Sequence, residues 1–238
     1  MGASEPVEAV IFDIGATLVT GPPIAPNKVI AALMEGVTAA EVASVIMTTP
    51  FESPGEVCDA LAARFGAVGE DALVGICGLW ERQSTAAHGI DGAAECVLAL
   101  VERGLRIGLL SDIWSPYYHS VERALPEVVG AANSIVLSCR TGARKPDKDN
   151  FLRVISELGV EPSRAVMVGD TYTHDILPAI ELGMRTVWVL ARPEREIESV
   201  LGVLNGKLPC PTATVGSIGE VVSVILLTPT LSRRGERE

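Results

Sequence analysis

Positive charge is scarce in this chain. Lysine and arginine number 19 against 30 aspartates and glutamates, a net charge of −11 over 238 residues. Nucleic-acid backbones call for lysine and arginine, so a nucleic-acid partner is disfavoured. A phosphorylated small molecule stays admissible, because a metal ion and a few cationic groups can reverse the field locally. Cysteine is sparse too. Cys58, Cys77, Cys96, Cys139 and Cys210 are odd in number and lack paired spacing. That pattern excludes a disulfide framework and fits reduced, mostly buried thiols of an intracellular protein. Long hydrophobic runs are also missing: the longest, near Val221 to Leu227, is far below the roughly 20 residues that span a bilayer. No charged-then-apolar leader opens the sequence, and Pro6 stands where myristoylation asks for Ser or Thr. The expectation is a soluble, cytoplasmic protein without a membrane partner. There is no internal repeat, and nothing indicates oligomeric state.

What the chain does have is apolar bulk: 48% of its residues are hydrophobic, enough to bury a full core as one large domain or as a domain with a smaller insert. Short β-rich runs recur at residues 8–12, 106–110, 134–138, 165–169 and 186–190, with helical patterns between the later ones. Alternating strands and helices predict a doubly wound parallel α/β sheet covered on both faces. Gly159 and Gly183 follow helical patterns at the left-handed C-terminal position. Ser217 to Glu220 reads as a capping box opening the last helix. Residues 21 to 87 break the alternation. They hold no convincing strand and at least three helical stretches, with capping boxes at Thr38–Glu41 and Ser53–Glu56. Val57, Leu61 and Phe65 repeat every four residues, as on one apolar helix face. The expected organisation is a core domain over 1–20 and 88–228, a small helical insert over 21–87, and a disordered tail over 229–238.

Several apolar runs end on polar groups. VIFDIGATLV, residues 10 to 19, delivers Asp13 and then Thr17; RIGLL is followed by Ser111 and Asp112; Lys145 lies in TGARKPD; AVMVGD ends on Asp170, with Asp175 five residues on. Strand-end groups of a parallel sheet collect at one edge. Carboxylates with one hydroxyl and one ammonium suit a hard cation such as Mg²⁺ and a phosphoryl group. D-x-G-x-T at Asp13 belongs to two unrelated phosphate-handling folds. The actin-like sugar kinases need a second D-x-G loop and a glycine-rich adenosine segment, and neither is found. A Cys-x₅-Arg phosphatase is excluded because only four residues separate Cys139 from Arg144. GVLNGKL lacks the spacing and the Ser or Thr of a P-loop.

In order, FDIGATL, LLSD, RKPD and VGDTYTHD resemble the four motifs of the haloacid dehalogenase superfamily, and the helical insert falls where many members carry a first-type cap. The resemblance implies hydrolysis of a small phosphate monoester. Asp13 would be the nucleophile and pass through an aspartyl-phosphate. Asp13, the Gly15 carbonyl and Asp170 would hold Mg²⁺. Asp175 would hold a metal-bound water or orient Lys145. Ser111 and Lys145 would bind the transferring oxygens, with Thr17 and the turn amides helping. The partner would be a small phosphorylated metabolite. One departure stands out: Gly15 occupies the place where most phosphatases of this family carry an Asp that serves as acid and base. Slowed or leaving-group-dependent turnover is therefore expected, with aryl or acyl phosphates affected least. A family fold that binds phosphate ligands but barely turns over is the alternative. Dehalogenation and phosphonate cleavage fit less well, since the former needs no metal acids and the latter uses a cap lysine. Asp112, His88, His119, His174, Arg64, Arg82 and the three tryptophans read as loop, surface or packing residues. Arg140, Arg144, Lys145 and Lys148 form a local basic cluster able to focus an anion.

Overall fold

A computed structural model describes residues 6–227. The first strand, β1 (Ala9–Phe12), is apolar at every position and wholly buried, as a strand covered on both faces must be. A two-residue strand, β2 (Val19–Thr20), follows closely. The chain then leaves the sheet for four helices: α1 (Pro26–Ala31), α2 (Ala39–Ile46), α3 (Pro54–Phe65) and α4 (Glu70–Gln83). It returns through β3 (His88–Gly89), which pairs antiparallel with β2. Alternation then resumes with α5 (Ala93–Glu102), β4 (Arg106–Ser111), α6 (Ser115–Ala124), α7 (Pro126–Ala131) and β5 (Ser134–Leu137). The short α8 (Ser138–Thr141), α9 (Lys148–Leu158), β6 (Ala165–Gly169), α10 (Leu177–Glu181) and β7 (Arg185–Val189) come next. The described chain ends with α11 (Ile197–Leu204), β8 (Ala213–Val215) and α12 (Val221–Leu227).

Six strands form one parallel sheet in the order β5-β4-β1-β6-β7-β8. The connection runs outward from β1 through β4 to β5, then crosses to β6 on the other side. The carboxyl end of β1 thus lies at the topological switch point, where open α/β sheets collect their ligands. Val10, Phe12, Leu109 and Val168 pack under α5 and α12 on one face; Ile11, Met167 and Leu110 pack under α9 on the other. Helices α1–α4 have a core of their own around Ile30, Val42, Val57, Leu61 and Ile76, which Trp114 joins from the sheet domain. Trp114 donates its indole N–H to Gln83 at 3.1 Å and meets Trp80 edge-on at 5.7 Å. Docking of the helical layer therefore rests on the segment just after β4.

The five predicted strands form at or within a residue of their expected bounds. The left-handed residues Gly159 and Gly183 end their helices as read, with φ of 61° and 79°. Three local expectations need correction. A sixth strand, β8, was not anticipated. The Ser217–Glu220 box does not form, because the Ser217 hydroxyl donates to the Glu220 carboxylate at 2.9 Å instead of accepting its N–H, and a 3₁₀ turn precedes α12. At α3 only half the box is made: Ser53 accepts from Glu56 N–H, but the Glu56 carboxylate takes the N–H of Glu52. The Thr38–Glu41 box is complete. The expected tail at 229–238 lies outside the described residues. Among those residues no helix is long and apolar enough to cross a membrane.

Candidate active site

Asp13 leaves β1 with its N–H on Val168 O at 2.9 Å, so β6 fixes the residue where the strand ends. The turn beyond closes through Ala16 N–H to Val19 O at 2.7 Å and Val19 N–H to Ile14 O at 3.0 Å. Ala16 takes a left-handed φ of 61°, a strained conformation for a residue with a side chain and one that clusters at functional sites. Thr17 is fully buried and donates its hydroxyl to Asp13 Oδ2 at 3.2 Å. Gly15 faces open space, and a side chain there would meet nothing within 4 Å.

Lys145 arrives from the loop before α9. The Asp112 carboxylate accepts its backbone N–H at 2.9 Å, and Asn150 ties the loop through Ala143 O at 2.7 Å. Its ammonium lies 2.6 Å from Asp13 Oδ1 and 2.6 Å from Asp175 Oδ1, and all three side chains are buried. Ser111, at the end of β4, donates to Asp13 Oδ1 at 3.4 Å. Asp175 uses its second oxygen to accept Thr171 N–H at 3.0 Å. Its carboxyl group sits so close to β6 that a Cβ on Gly169 would lie 2.5 Å from it, so only glycine fits in that strand end. Asp170 is held by Trp188 N–H on its carbonyl at 3.0 Å, and its carboxylate pairs with the guanidinium of Arg192.

Burial pushes the Asp13 carboxyl up to about 6; Lys145 pulls it down and Asp175 pushes it up again. Asp170 and Asp175 are raised as well, burial first in each case. Burial works against the Lys145 ammonium, yet Asp13 and Asp175 outweigh it and hold the group charged. Asp13, Asp170 and Asp175 each offer one oxygen within 4.8 Å of the others. Three carboxylates against Lys145 and Arg192 leave the cluster short of positive charge, which adds to the rise that burial causes in all three acids. An added divalent cation with oxygen ligands fits this donor set and relieves that imbalance.

Two hollows meet at this edge. The smaller, about 320 Å³, is lined by Asp13, Ser111, Lys145, Asp170 and Asp175, with His174 and Arg144 at its rim. The larger, about 630 Å³, lies between the sheet edge and the helical layer and is mainly apolar. Gly15, Asp112 and Arg192 line both. Every motif residue read from the sequence is therefore gathered at one place, and of the basic cluster only Arg140 and Lys148 lie outside the two hollows. Arg140 lies over the Tyr118 ring, Lys148 pairs with Glu181, and Arg144 pairs with Asp112 at 3.3 Å.

A model of the haloacid dehalogenase-like hydrolases matches residues 7–183. The chain belongs to that family. A glyceraldehyde 3-phosphate phosphatase from Pyrococcus abyssi is 29% identical over 99 residues, which are 42% of this chain and 41% of that protein. The chain thus matches well under two thirds of this curated relative. Among solved structures, a HAD phosphatase from Thermococcus onnurineus superposes with a TM-score of 0.61 at 21% identity, over 95% of this chain and all of that one. An L-2-haloacid dehalogenase from Xanthobacter autotrophicus, with chloropropionic acid covalently bound, gives 0.56 at 17% identity, over 92% and 98%. These two likenesses speak for the fold.

Sequence reading passed over Arg192, Tyr117 and Thr171. The signal for Arg192 was there: β7 ends three residues before it, at the same sheet edge that marked Ser111 and Asp170. Tyr117 carried no local signal, since only the turn of α6 brings it into the larger hollow, where burial and the Asp13 charge push its phenol up to about 12.

Proposed function

We propose that this hydrolase is a Mg²⁺-dependent phosphatase that cleaves a small phosphate monoester through an aspartyl-phosphate on Asp13. The observation that carries the reading is the Lys145 ammonium, 2.6 Å from both Asp13 and Asp175, beside a third carboxylate on Asp170. Asp13, the Gly15 carbonyl and Asp170 would hold the cation, and its charge would offset that of the phosphoryl oxygens. Lys145 keeps Asp13 ionised for in-line attack on phosphorus and, with Ser111, binds the transferring oxygens. Asp175 keeps Lys145 in position, and Thr17 steadies Asp13. Residues 21–87 act as a cap that closes over the cleft and excludes water, on a core of 1–20 and 88–228. The acidic triad speaks against the metal-free dehalogenase branch. The insert's one lysine, Lys28, lies in α1, so the phosphonate branch lacks its cap group.

A thermal melt tests the cation. Asp13, with a folded value near 6 against 3.8, favours folding fully below about pH 4 and loses that contribution as pH rises to about 6; Asp170 and Asp175 shift the same way. The difference at Asp13 alone is about 3 kcal/mol. Mg²⁺ reverses this cost only where the acids are ionised. Addition of Mg²⁺ should therefore raise the melting temperature by several degrees at pH 7.5 and by little at pH 5. An equal shift at both values, or none, contradicts the site.

The vacant position at Gly15 favours a second reading, a phosphate-binding protein that turns over little. Gly15→Asp separates the two, since the side chain has room. On an alkyl phosphate the variant should gain between about 10²- and 10⁴-fold in kcat, the usual worth of a placed acid. An unchanged or lower kcat counts against acid loss as the limit on this enzyme.

A further inference from the structure

The larger hollow bears on which ester is cleaved, an argument that rests on the phosphatase reading above. The two hollows share Gly15, Asp112 and Arg192, so this space lies open to a leaving group displaced from phosphorus beside Asp13. Its walls are mainly apolar, with Pro22, Pro23, Ile24, Met47, Ile113 and Trp114 among them, and Asp112, Gln83 and the arginines form a polar minority. Ile24 is 57% exposed, an apolar side chain left at the rim without a partner to cover it. At about 630 Å³ the space is within the range for small-molecule sites. A polyol or sugar would leave hydroxyls against the apolar part of these walls, at roughly 1–3 kcal/mol for each group left without a hydrogen bond.

Among the described residues, no unpaired carboxyl or imidazole group lines this hollow to protonate a departing alkoxide. Gly15 has no side chain. Asp112 is committed to Lys145 N–H and to Arg144. Gln83 accepts from Trp114. The Tyr117 hydroxyl, held protonated by burial and the nearby Asp13 charge, is a far weaker acid than the carboxyl that Gly15 lacks. His174 lines the smaller hollow and not this one. A site without an acid acts well only on a leaving group stable as an anion. A phenol, at a pKa of about 10, meets that condition; an alcohol, close to water at about 16, does not.

We infer that the substrate is an aryl phosphate, the phosphomonoester of an apolar phenol whose ring enters the hollow between the helical layer and the sheet edge. Asp13 Oδ attacks phosphorus, the P–O(aryl) bond breaks, and the electron pair leaves with the phenolate, which takes a proton from water. A second water then attacks phosphorus and the P–Oδ bond breaks. This returns the Asp13 carboxylate and releases inorganic phosphate, with the proton lost to solvent. Arg195, exposed at the rim, offers positive charge to the incoming dianion in an otherwise acidic protein.

The test is steady-state kinetics of the full-length protein with Mg²⁺ on 1-naphthyl phosphate, glycerol 3-phosphate and acetyl phosphate. Acetyl phosphate combines a good leaving group with almost no bulk, and so reports on the phosphatase chemistry alone. The expected result is kcat/KM for 1-naphthyl phosphate at least 100-fold above glycerol 3-phosphate. Ile24→Asp, at an exposed position where folding is not at stake, should raise KM for 1-naphthyl phosphate about tenfold with little change in kcat. Equal use of glycerol 3-phosphate, or a KM indifferent to Ile24→Asp, overturns the aryl assignment. If acetyl phosphate is still hydrolysed in that case, the phosphatase reading stands. If no phosphate compound is cleaved, both fall.

Discussion

Asp13→Asn should lower turnover by on the order of 10⁴-fold or more, because the proposed mechanism makes this carboxylate the nucleophile toward phosphorus. The same change should make the metal-free protein more stable. Asp13 is buried beside Asp175 and its carboxyl is raised to about 6, so at neutral pH its ionised form works against folding. The amide keeps an acceptor for Lys145 and removes one of three crowded negative charges. A melting temperature a few degrees above wild type at pH 7.5, in chelator, is the expected reading. At pH 4 the two proteins should converge. A variant that loses activity because it unfolds would contradict this account of the site.

Lys145→Met should cost at least about 10³-fold in turnover, since it removes the one cation, among the described residues, paired with both Asp13 and Asp175. Here stability should fall with activity. Two buried carboxylates lose their partner, and breaking a buried pair in this way costs about 3–5 kcal/mol. The loss has a pH signature. The Lys145 ammonium is held charged across the whole range in which carboxylates titrate, so wild type keeps these ion pairs wherever Asp13 and Asp175 are ionised. In the variant the acids can relieve their repulsion by taking up protons. Denaturant unfolding should therefore show a larger deficit at pH 8 than at pH 5. A deficit independent of pH would mean that packing of the lysine stem, and not its charge, stabilises the site.

Most of this arrangement was legible before any coordinates, for a physical reason. A strand buried on both faces must be apolar throughout, so β1, β4, β5, β6 and β7 appear as uninterrupted runs. The first polar residue after such a run is forced to the sheet edge, which is why Asp13, Ser111 and Asp170 could be read in place. Lys145 and Asp175 needed the ordered set, since neither ends a strand. β8 escaped because Ala213–Val215 is only three residues at the sheet edge, and just one of them is buried. The capping box at Ser217 failed because a 3₁₀ turn takes the Glu220 N–H to the Ser217 carbonyl, and the hydroxyl is left to donate to the Glu220 carboxylate. Arg192 satisfied the strand-end rule and was passed over because a guanidinium was not being sought next to a cation site. The apolar hollow lay beyond sequence reading altogether: Pro22, Met47, Trp114 and Arg195 come from four separate parts of the chain and meet only in the folded state.

The account turns on a phosphoryl group carried by Asp13. The direct measurement is acid quench of the wild-type protein during turnover of 1-naphthyl phosphate with Mg²⁺, followed by mass spectrometry of the fragment spanning residues 7–20. One phosphoryl group on Asp13, absent from Asp13→Asn and chased by unlabelled substrate, is the predicted result. Sustained turnover with that fragment unmodified, or with the phosphoryl group on His174, would contradict the central claim.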